Sequence, residues 1–588
     1  MTSRLNRAQT GLRCVLAGLM AAAFITQFHF AQAQSASRPN VILVITDDQG
    51  YGDVGAHGNT MIQTPQLDKI HAQSVRLTQF HVDPTCSPTR SALMTGRYST
   101  RTGVWHTILG RSILYKDEVT MADVFKAGGY RTGIFGKWHL GDNYPSRPMD
   151  RGFDVSVVHG GGGVTQTPDY WDNDYFDDTY FRNGDPEKFD GYCTDVFFRE
   201  ASKFIQSDSD QPFFCYLTTN APHGPFNVSQ AYKQPYLDKG VPEPMASFYG
   251  MITNIDDNMG RLTAMLEETG LDQNTILIFM TDNGTAAGVT GNPKEESNAW
   301  AGFNDGMRGQ KGSAYEGGHR VPFFIRWPKG NLGQPRDVSN LSAHIDVLPT
   351  LADLCEIDLP TDRHLDGTSL APLIKGAEVN WPNRTLFVHS QRIEYPRKWK
   401  TCSVMTEEWR LIDGKELYRI EDDRGQTKDL SAQFPGVVEN LRHQYEQWWT
   451  TLEPRFDDYP YISIGNDAEN PAKITAHDWH GPVVPWNQRM VRNMPHHNGY
   501  WMVDVEQTGW YRFTLRHWPE GTGKIIEAKQ ARLKIADVDN TIVLTDRKDR
   551  VMFNVYLPKG KTKMQTWLTD KDSDKSRGAF FIDAERLK

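Results

Sequence analysis

Two kinds of periodicity divide the chain. From Asn40 to about residue 380, short unbroken apolar runs alternate with amphipathic stretches. Val41–Ile45 (VILVI) and Asn274–Met280 (NTILIFM) are rich in β-branched residues, the pattern of strands buried on both faces. Phe213–Leu217 and Val321–Arg326 are weaker runs of the same kind. Apolar positions at helical spacing predict helices over Leu67–Gln73, Met121–Ala127, Thr194–Gln206 and Ala246–Thr269. Strands alternating with helices predict an α/β domain around a mostly parallel sheet, over residues 39–380. Residues 381–455 differ: strands at Cys402–Met405, Trp409–Ile412 and Glu416–Arg419 precede a helix over Gly436–Leu452, a small α+β subdomain. Residues 456–480, rich in Pro, Asp and Tyr, read as a connector. From Tyr500 on, alternating runs such as YWMVDV, GWYRFTL and VMFNVYL, punctuated by turn residues, predict a β-sandwich. Connector and sandwich together form a C-terminal β-rich module, 456–588.

The N-terminus departs from both patterns. Arg4, Arg7 and Arg13 precede a short apolar run, Cys14–Thr26, and Ala31-Gln32-Ala33 follows as a small-x-small signal. Residues 1–33 therefore read as a secretory signal peptide, and the run is shorter than the ~20 residues that span a bilayer. The expected location is periplasmic or secreted, with no stable membrane insertion after cleavage. The 588 residues carry 64 Lys+Arg against 73 Asp+Glu, a net charge of −9 without a basic block, so nucleic acid is not an expected partner. Of six cysteines, Cys14 lies in the leader. Cys193, Cys215, Cys355 and Cys402 are free to pair in an oxidising compartment or to remain buried thiols, and spacing does not choose. No CxxC pair is present, which argues against structural zinc.

Candidate chemistry gathers at strand ends. Asp47-Asp48 follow the first strand directly, and Asp282-Asn283 follow the 274–280 strand. In a parallel sheet both pairs emerge at the carboxyl edge, where open α/β sheets place ligands. Three carboxylates and an amide are hard oxygen donors suited to a divalent cation, with Ca2+ preferred over Mg2+. Either pair alone is an ordinary strand-end turn. In Cys86-Ser87-Pro88-Thr89-Arg90, Ser87 is a helix-cap residue type and Pro88 suits a first turn. Cys86 is then expected at a helix N-terminus, where N–H groups favour an anion, with Arg90 four residues on.

Cys86-x-Pro88-x-Arg90, continuing through Ser91-Ala92-Leu93-Met94-Thr95-Gly96-Arg97, resembles the signature of the type I, formylglycine-dependent sulfatases. Further pieces stand in that family's order: Asp47–Gly52 (DDQGYG), Gly136–Gly141 (GKWHLG), Ala221-Pro222-His223, Thr281–Gly284 (TDNG), Lys311-Gly312-Ser313, Glu316–Pro322 (EGGHRVP) and Asp366–Leu370 (DGTSL). The resemblance covers roughly 39–455, and His319 departs from it, standing where a small apolar residue is common. It implies an alkaline-phosphatase-like fold. It also implies that a separate formylglycine-generating enzyme oxidises Cys86 to formylglycine. The hydrate of that group attacks sulfur, expels the alcohol and then collapses to release sulfate. On the same resemblance, Asp47, Asp48, Asp282 and Asn283, with the modified Cys86, hold the metal. Arg90 fixes the diol and the ligand carboxylates. Lys137 contacts sulfate, and His139 takes the diol proton. His223 and Lys311 clamp sulfate oxygens and protonate the leaving group. Lys137 and His139, two apart on an expected extended segment, face one side.

The segment 159–192 is aromatic, acidic and glycine-rich, as a substrate-facing insertion would be. His159, Asp169, Tyr170, Trp171 and Arg182 are candidates there. Trp105, His106, Trp300, Asn304 and Arg308 are candidates elsewhere. Together with export they favour a sulfated carbohydrate as substrate, with aryl sulfates turned over incidentally. The alternatives are a phosphonate monoester or phosphodiester hydrolase of the same superfamily, and a catalytically dead glycan-binding protein.

Overall fold

The computed structural model describes residues 38–289, 302–377 and 380–587. The expected leader (1–33), Cys14 and Trp300 lie outside the described residues. The strand Asn40–Thr46 sits near the middle of a ten-stranded sheet. Thr275–Thr281 and Phe213–Thr218 pair with it in parallel on either side, and Arg131–Gly136 and then Val155–Val158 extend the parallel set. Phe323–Arg326 joins one side antiparallel, with Val75–Leu77 and Arg336–Val338 beyond it, and Thr179–Arg182 begins an antiparallel edge on the other. The sheet is thus mostly parallel at its centre, as the unbroken apolar runs predict.

Alternate residues of the first strand feed opposite layers. Ile42 and Val44 pack with Leu67, Ile70, Phe197, Met251 and Leu262, under the helices Pro65–Ala72, Cys193–Ile205 and Glu243–Glu268. Val41, Leu43 and Ile45 pack on the other face with Leu93, Met121, Phe125 and Leu348. Each such fully buried side chain contributes about 1.5–3 kcal/mol, so a polar residue in the run would be costly.

The strands Leu386–His389, Cys402–Met405, Trp409–Ile412 and Glu416–Arg419 form a four-stranded antiparallel sheet. The helix Pro435–Thr450 packs on it through Leu441, Tyr445 and Trp448. The C-terminal strands form two facing sheets around Trp501, Val503, Phe513, Leu533, Met564 and Ile582. The 456–480 stretch is not merely a connector. Ile462–Ile464 and Ala472–Thr475 add an edge strand to each sheet of the sandwich, and their short lengths hide them from periodicity. Cys86, Cys193, Cys215, Cys355 and Cys402 are all free and buried, which resolves the pairing question for the described residues. Among the described residues, no helix is long and apolar enough to cross a membrane.

Candidate active site

The parallel strands deliver their chemistry to one edge. Asp47 and Asp48 leave the first strand, Asp282 and Asn283 leave Thr275–Thr281, and Lys137 leaves Arg131–Gly136. Asp48 turns through the left-handed region (φ 69°), and its N–H donates to Asp282 Oδ1 at 3.0 Å, locking the two strand ends together. Gly136 has φ 116°, and a Cβ there would lie 1.8 Å from the Thr218 carbonyl oxygen. Only glycine lets Lys137 leave the sheet at that point.

Cys86 opens the helix Cys86–Thr95, every residue of which is buried. Thr85, not Ser87, occupies the cap position; Ser87 instead donates its hydroxyl to the His139 carbonyl at 2.7 Å. Arg90, one turn further on, ties three strand ends together. It donates to Asp282 Oδ2 (2.8 Å from Nη2), to the Lys137 carbonyl (3.2 Å) and to the Thr218 hydroxyl. Sγ of Cys86 and carboxylate oxygens of Asp47 and Asp282 all lie within 4.8 Å of one another. Burial raises the Cys86 thiol, with Lys137 and Lys311 opposing. The unmodified side chain is therefore a poor thiolate nucleophile.

Each carboxylate has a cation. Lys137 Nζ lies 2.6 Å from Asp47 Oδ2, and Lys311 Nζ lies 2.6 Å from Asp48 Oδ2. Charge repulsion alone therefore does not call for a metal. The unmet oxygens do: Asp47 Oδ1 and Asn283 Oδ1 are buried without a hydrogen-bond partner. A buried orphan acceptor costs about 1–3 kcal/mol, and a hard cation satisfies it. Asp47, Asp48, Asp282 and Asn283 thus fit a divalent ion. Burial and Asp47 push the Asp282 carboxyl up. Burial alone would raise Asp48 too, but Lys311, His223 and Lys137 hold it well below the usual carboxylate range.

His223 Nε2 stands 3.7 Å from Asp48 Oδ2; burial and Lys311 lower its pKa to about 4. His139 is held well below its ordinary value by burial and by Lys137, so both imidazoles are neutral and able to accept a proton. The expected extended segment is not present: His139 takes φ 61° and its Nε2 meets the Thr107 carbonyl at 2.9 Å. Lys137 and His139 therefore do not share a face by strand alternation. The structure nonetheless gathers Asp47, Asp48, Cys86, Arg90, Lys137, His139, His223, Asp282, Asn283 and Lys311 in one linked network.

A family model described as Sulfatase matches residues 39–357, and one for the C-terminal part of N-sulphoglucosamine sulphohydrolase matches 309–449. The chain belongs to the sulfatase family. It is 30% identical over 460 residues to arylsulfatase G of Canis lupus familiaris, covering 69% of this chain and 84% of that one. It is 29% identical over 368 residues to N-acetylgalactosamine-6-sulfatase of Mus musculus, covering 58% and 68%. The crystal structure of Ps i-CgsB in complex with k-i-k-neocarrahexaose superposes with TM-score 0.62 and 27% identity, over 70% of this chain and 93% of that one. This sulfatase is a sulfuric ester hydrolase, arylsulfatase-like in sequence. Residues beyond 449 lie outside both family matches.

The substrate candidates divide. The glycine run 160–163 packs on the site: a Cβ at Gly162 would lie 2.2 Å from the His139 ring, and one at Gly163 would lie 3.5 Å from His223. His159 is buried beside this run, its Nδ1 3.0 Å from the Gly160 carbonyl. Asp169 is buried as an acceptor for the Thr165 N–H, a loop-folding role. Tyr170 is exposed. Trp171 packs against Trp518 and Phe581 of the sandwich. Arg182 is drawn away to Glu187 and Glu200. Trp105 carries Arg111 over its ring, and His106 Nδ1 accepts from the Thr107 and Ile108 N–H groups. Asn304 donates to loop carbonyls, and Arg308 stacks on Tyr315.

Sequence reasoning missed one cluster. His477 and Asp478, from the stretch read as a connector, lie buried with Asp142, their ligand atoms within 4.8 Å of one another. The His477 ring is 6.3 Å from that of His139. Asp478 raises the pKa of His477 against the opposing effect of burial. No family motif marks this His-Asp pair; only its position between the apolar Ala476 and Trp479 hints at burial.

Proposed function

We propose that this sulfatase hydrolyses sulfate monoesters of a sulfated carbohydrate at the Cys86 site. Cys86 acts there as formylglycine, and Asp47, Asp48, Asp282 and Asn283 hold Ca2+. One observation carries the reading: Cys86, at a helix N-terminus, lies with the Asp47 and Asp282 carboxylates, in a network that also holds Lys137, Lys311, Arg90 and two neutral histidines. When present, the formylglycine hydrate supplies an oxygen nucleophile with a route to release sulfate, and the cation supplies polarisation of sulfate oxygens. The chain's own residues do the rest. Arg90 fixes the strand ends that carry the ligands. Lys137 and Lys311 bring ammonium groups to the sulfate charge. His139 is placed to accept a proton on the Cys86 side, and His223 with Lys311 to serve the leaving oxygen. Carbohydrate is favoured over a simple aryl ester by the sugar-acting relatives, N-acetylgalactosamine-6-sulfatase among them.

The test is free sulfate released from a panel of sulfated polysaccharides, their oligosaccharides, an aryl sulfate and a matched phosphate ester. The protein is co-expressed with a formylglycine-generating enzyme, with Cys86→Ala alongside. Release from a glycan that vanishes in Cys86→Ala supports the reading. Turnover confined to the phosphate ester overturns it.

A further inference from the structure

The outer face of one sandwich sheet has a composition that the active site does not use. Along Gly560–Asp570, Lys561, Lys563, Gln565 and Trp567 alternate with buried Met564, Thr566 and Leu568, so the first set faces outward. Arg532 lies opposite Trp567, and Lys534 opposite Gln565, on the neighbouring strand. Tyr500 pairs with Gln565 on the other side, and Met502 with Lys563. The cations lie over rings: Lys563 Nζ 3.5 Å from the Tyr500 centroid, Lys561 Nζ 4.6 Å from Tyr461, and the Arg532 guanidinium 4.6 Å from Trp567.

The charge balance is one-sided. Arg532 and Lys534 share Asp539, at 2.6 and 3.8 Å, and Asp504 stands opposite Lys561 in register. Lys561 and Lys563 take part in no salt bridge among the described residues. Four cations therefore face two carboxylates on a chain whose net charge is −9. The second sheet shows that this is not general to the sandwich. There Arg512 pairs with Glu585 and Arg516 with Asp583, around the exposed Trp510 and Tyr556.

The geometry points to a docking face for a sulfated polysaccharide chain, built from Lys561, Lys563, Arg532 and Lys534 between Tyr500, Tyr461 and Trp567. The aromatic rings hold the cations in place on the sheet face. Ammonium groups held over those rings, with no carboxylate at salt-bridge distance among the described residues, keep their charge for sulfate. Same-face positions along a strand are about 7 Å apart, so neighbouring cations can meet anionic groups on successive sugars. A second grip on the polymer would raise local substrate concentration without touching the chemistry. The choice of ligand rests on the carbohydrate-sulfatase reading.

Affinity electrophoresis of the full chain, made inactive by Cys86→Ala, tests this with dextran sulfate and unsulfated dextran in the gel. Dextran sulfate should retard the protein and dextran should not. The double substitution Lys561→Gln/Lys563→Gln should weaken retardation about tenfold, the sum of two exposed charge contacts, and lessen its salt sensitivity. Trp510→Ala, on the balanced sheet, should change nothing. The lysine pair in the active enzyme should leave kcat/KM for an aryl sulfate unaltered. Equal retardation by both polymers overturns the proposal, as does retardation that survives the lysine substitutions or is lost with Trp510→Ala. Loss of all sulfate release by the Cys86 enzyme, with polymer binding intact, sinks the active-site reading instead and leaves the docking face standing.

Discussion

Two buried polar clusters sit within one α/β domain, and both have the look of metal sites. Asp47, Asp282 and Cys86 form one; His81, Glu316 and His319 form the other. In the second, every group has a partner. Arg410 Nε meets Glu316 Oε1 at 2.7 Å, and Arg320 lies 3.5 Å from Glu316 Oε2. Arg410 Nη2 donates to His81 Nε2, His81 Nδ1 faces His319 Nδ1 at 3.0 Å, and His319 Nε2 donates to the Ala314 carbonyl. That chain of donors fixes both rings as neutral tautomers and leaves no lone pair for an ion. In the first cluster the cations satisfy the charges, but Asp47 Oδ1 and Asn283 Oδ1 remain without hydrogens. Both places gather side chains able to ligate a metal. Completeness of the hydrogen bonding separates a structural knot from a site built to receive something.

That distinction can be broken experimentally. Cys86→Ala should lower sulfate release by roughly 10⁴-fold or more, as loss of a nucleophile does, while the unfolding free energy stays within about 1 kcal/mol of the parent. A large fall in stability would mean that Cys86 is a core residue first. Glu316→Gln should do the reverse. It strands buried Arg410, so chemical denaturation should show a loss of about 3–5 kcal/mol, with calcium protection retained in the folded fraction. Third, saturating Ca2+ at about 100 times its Kd should stabilise the parent by about 2.7 kcal/mol, and Asp47→Asn should abolish most of that gain. Thermal unfolding with EGTA and with added Ca2+ reads this directly. A gain preserved in Asp47→Asn would remove Asp47 from the ligand set.

Much of this was legible in advance, for physical reasons. Val41–Ile45 and Asn274–Met280 could only be central strands, because unbroken β-branched runs have no solvent face. Their ends then had to converge, which is why Asp47, Asp48, Asp282 and Asn283 could be grouped across more than 200 residues. Pro88 predicts the Cys86 helix but does not fix its cap, since Thr85 and Ser87 are both suitable residue types. Nothing in Gly136–Gly141 signals φ 61° at a non-glycine, so the sequence predicts an extended segment at His139. His477 and Asp478 were invisible for a different reason. Their approach to His139 is made by packing of a module that no family motif covers, and two strands of three and four residues are too short to show alternation. Arg182 looked available only because its partners, Glu187 and Glu200, are not apparent from composition.

The smallest predicted effect concerns pH and tests the completed cluster. Burial is the first cause that lowers His319, to about 4, and His81 is held well below its ordinary value for the same reason. An unfolded histidine titrates near 6.5. Between roughly pH 6.5 and 4 the unfolded chain binds a proton at His319 that the folded chain refuses, so stability must fall as pH drops through that window. From pH 7.5 to 5.5 the loss assigned to His319 is about 1 kcal/mol, from the ordinary and lowered values. His319→Ala should be less stable at pH 7.5, because His81 Nδ1–H loses its acceptor, by about 1–3 kcal/mol. Its stability should then decline less between pH 7.5 and 5.5 than the parent's. Glu316, whose carboxyl Arg410 holds low against burial, acts in the same direction but only below about pH 4.5, where the unfolded glutamate takes up a proton. Urea titrations of parent and His319→Ala at the two pH values separate the terms. A steeper acid loss in His319→Ala would mean that the pair is protonated in the folded state, and that the closed set of neutral hydrogen bonds does not hold.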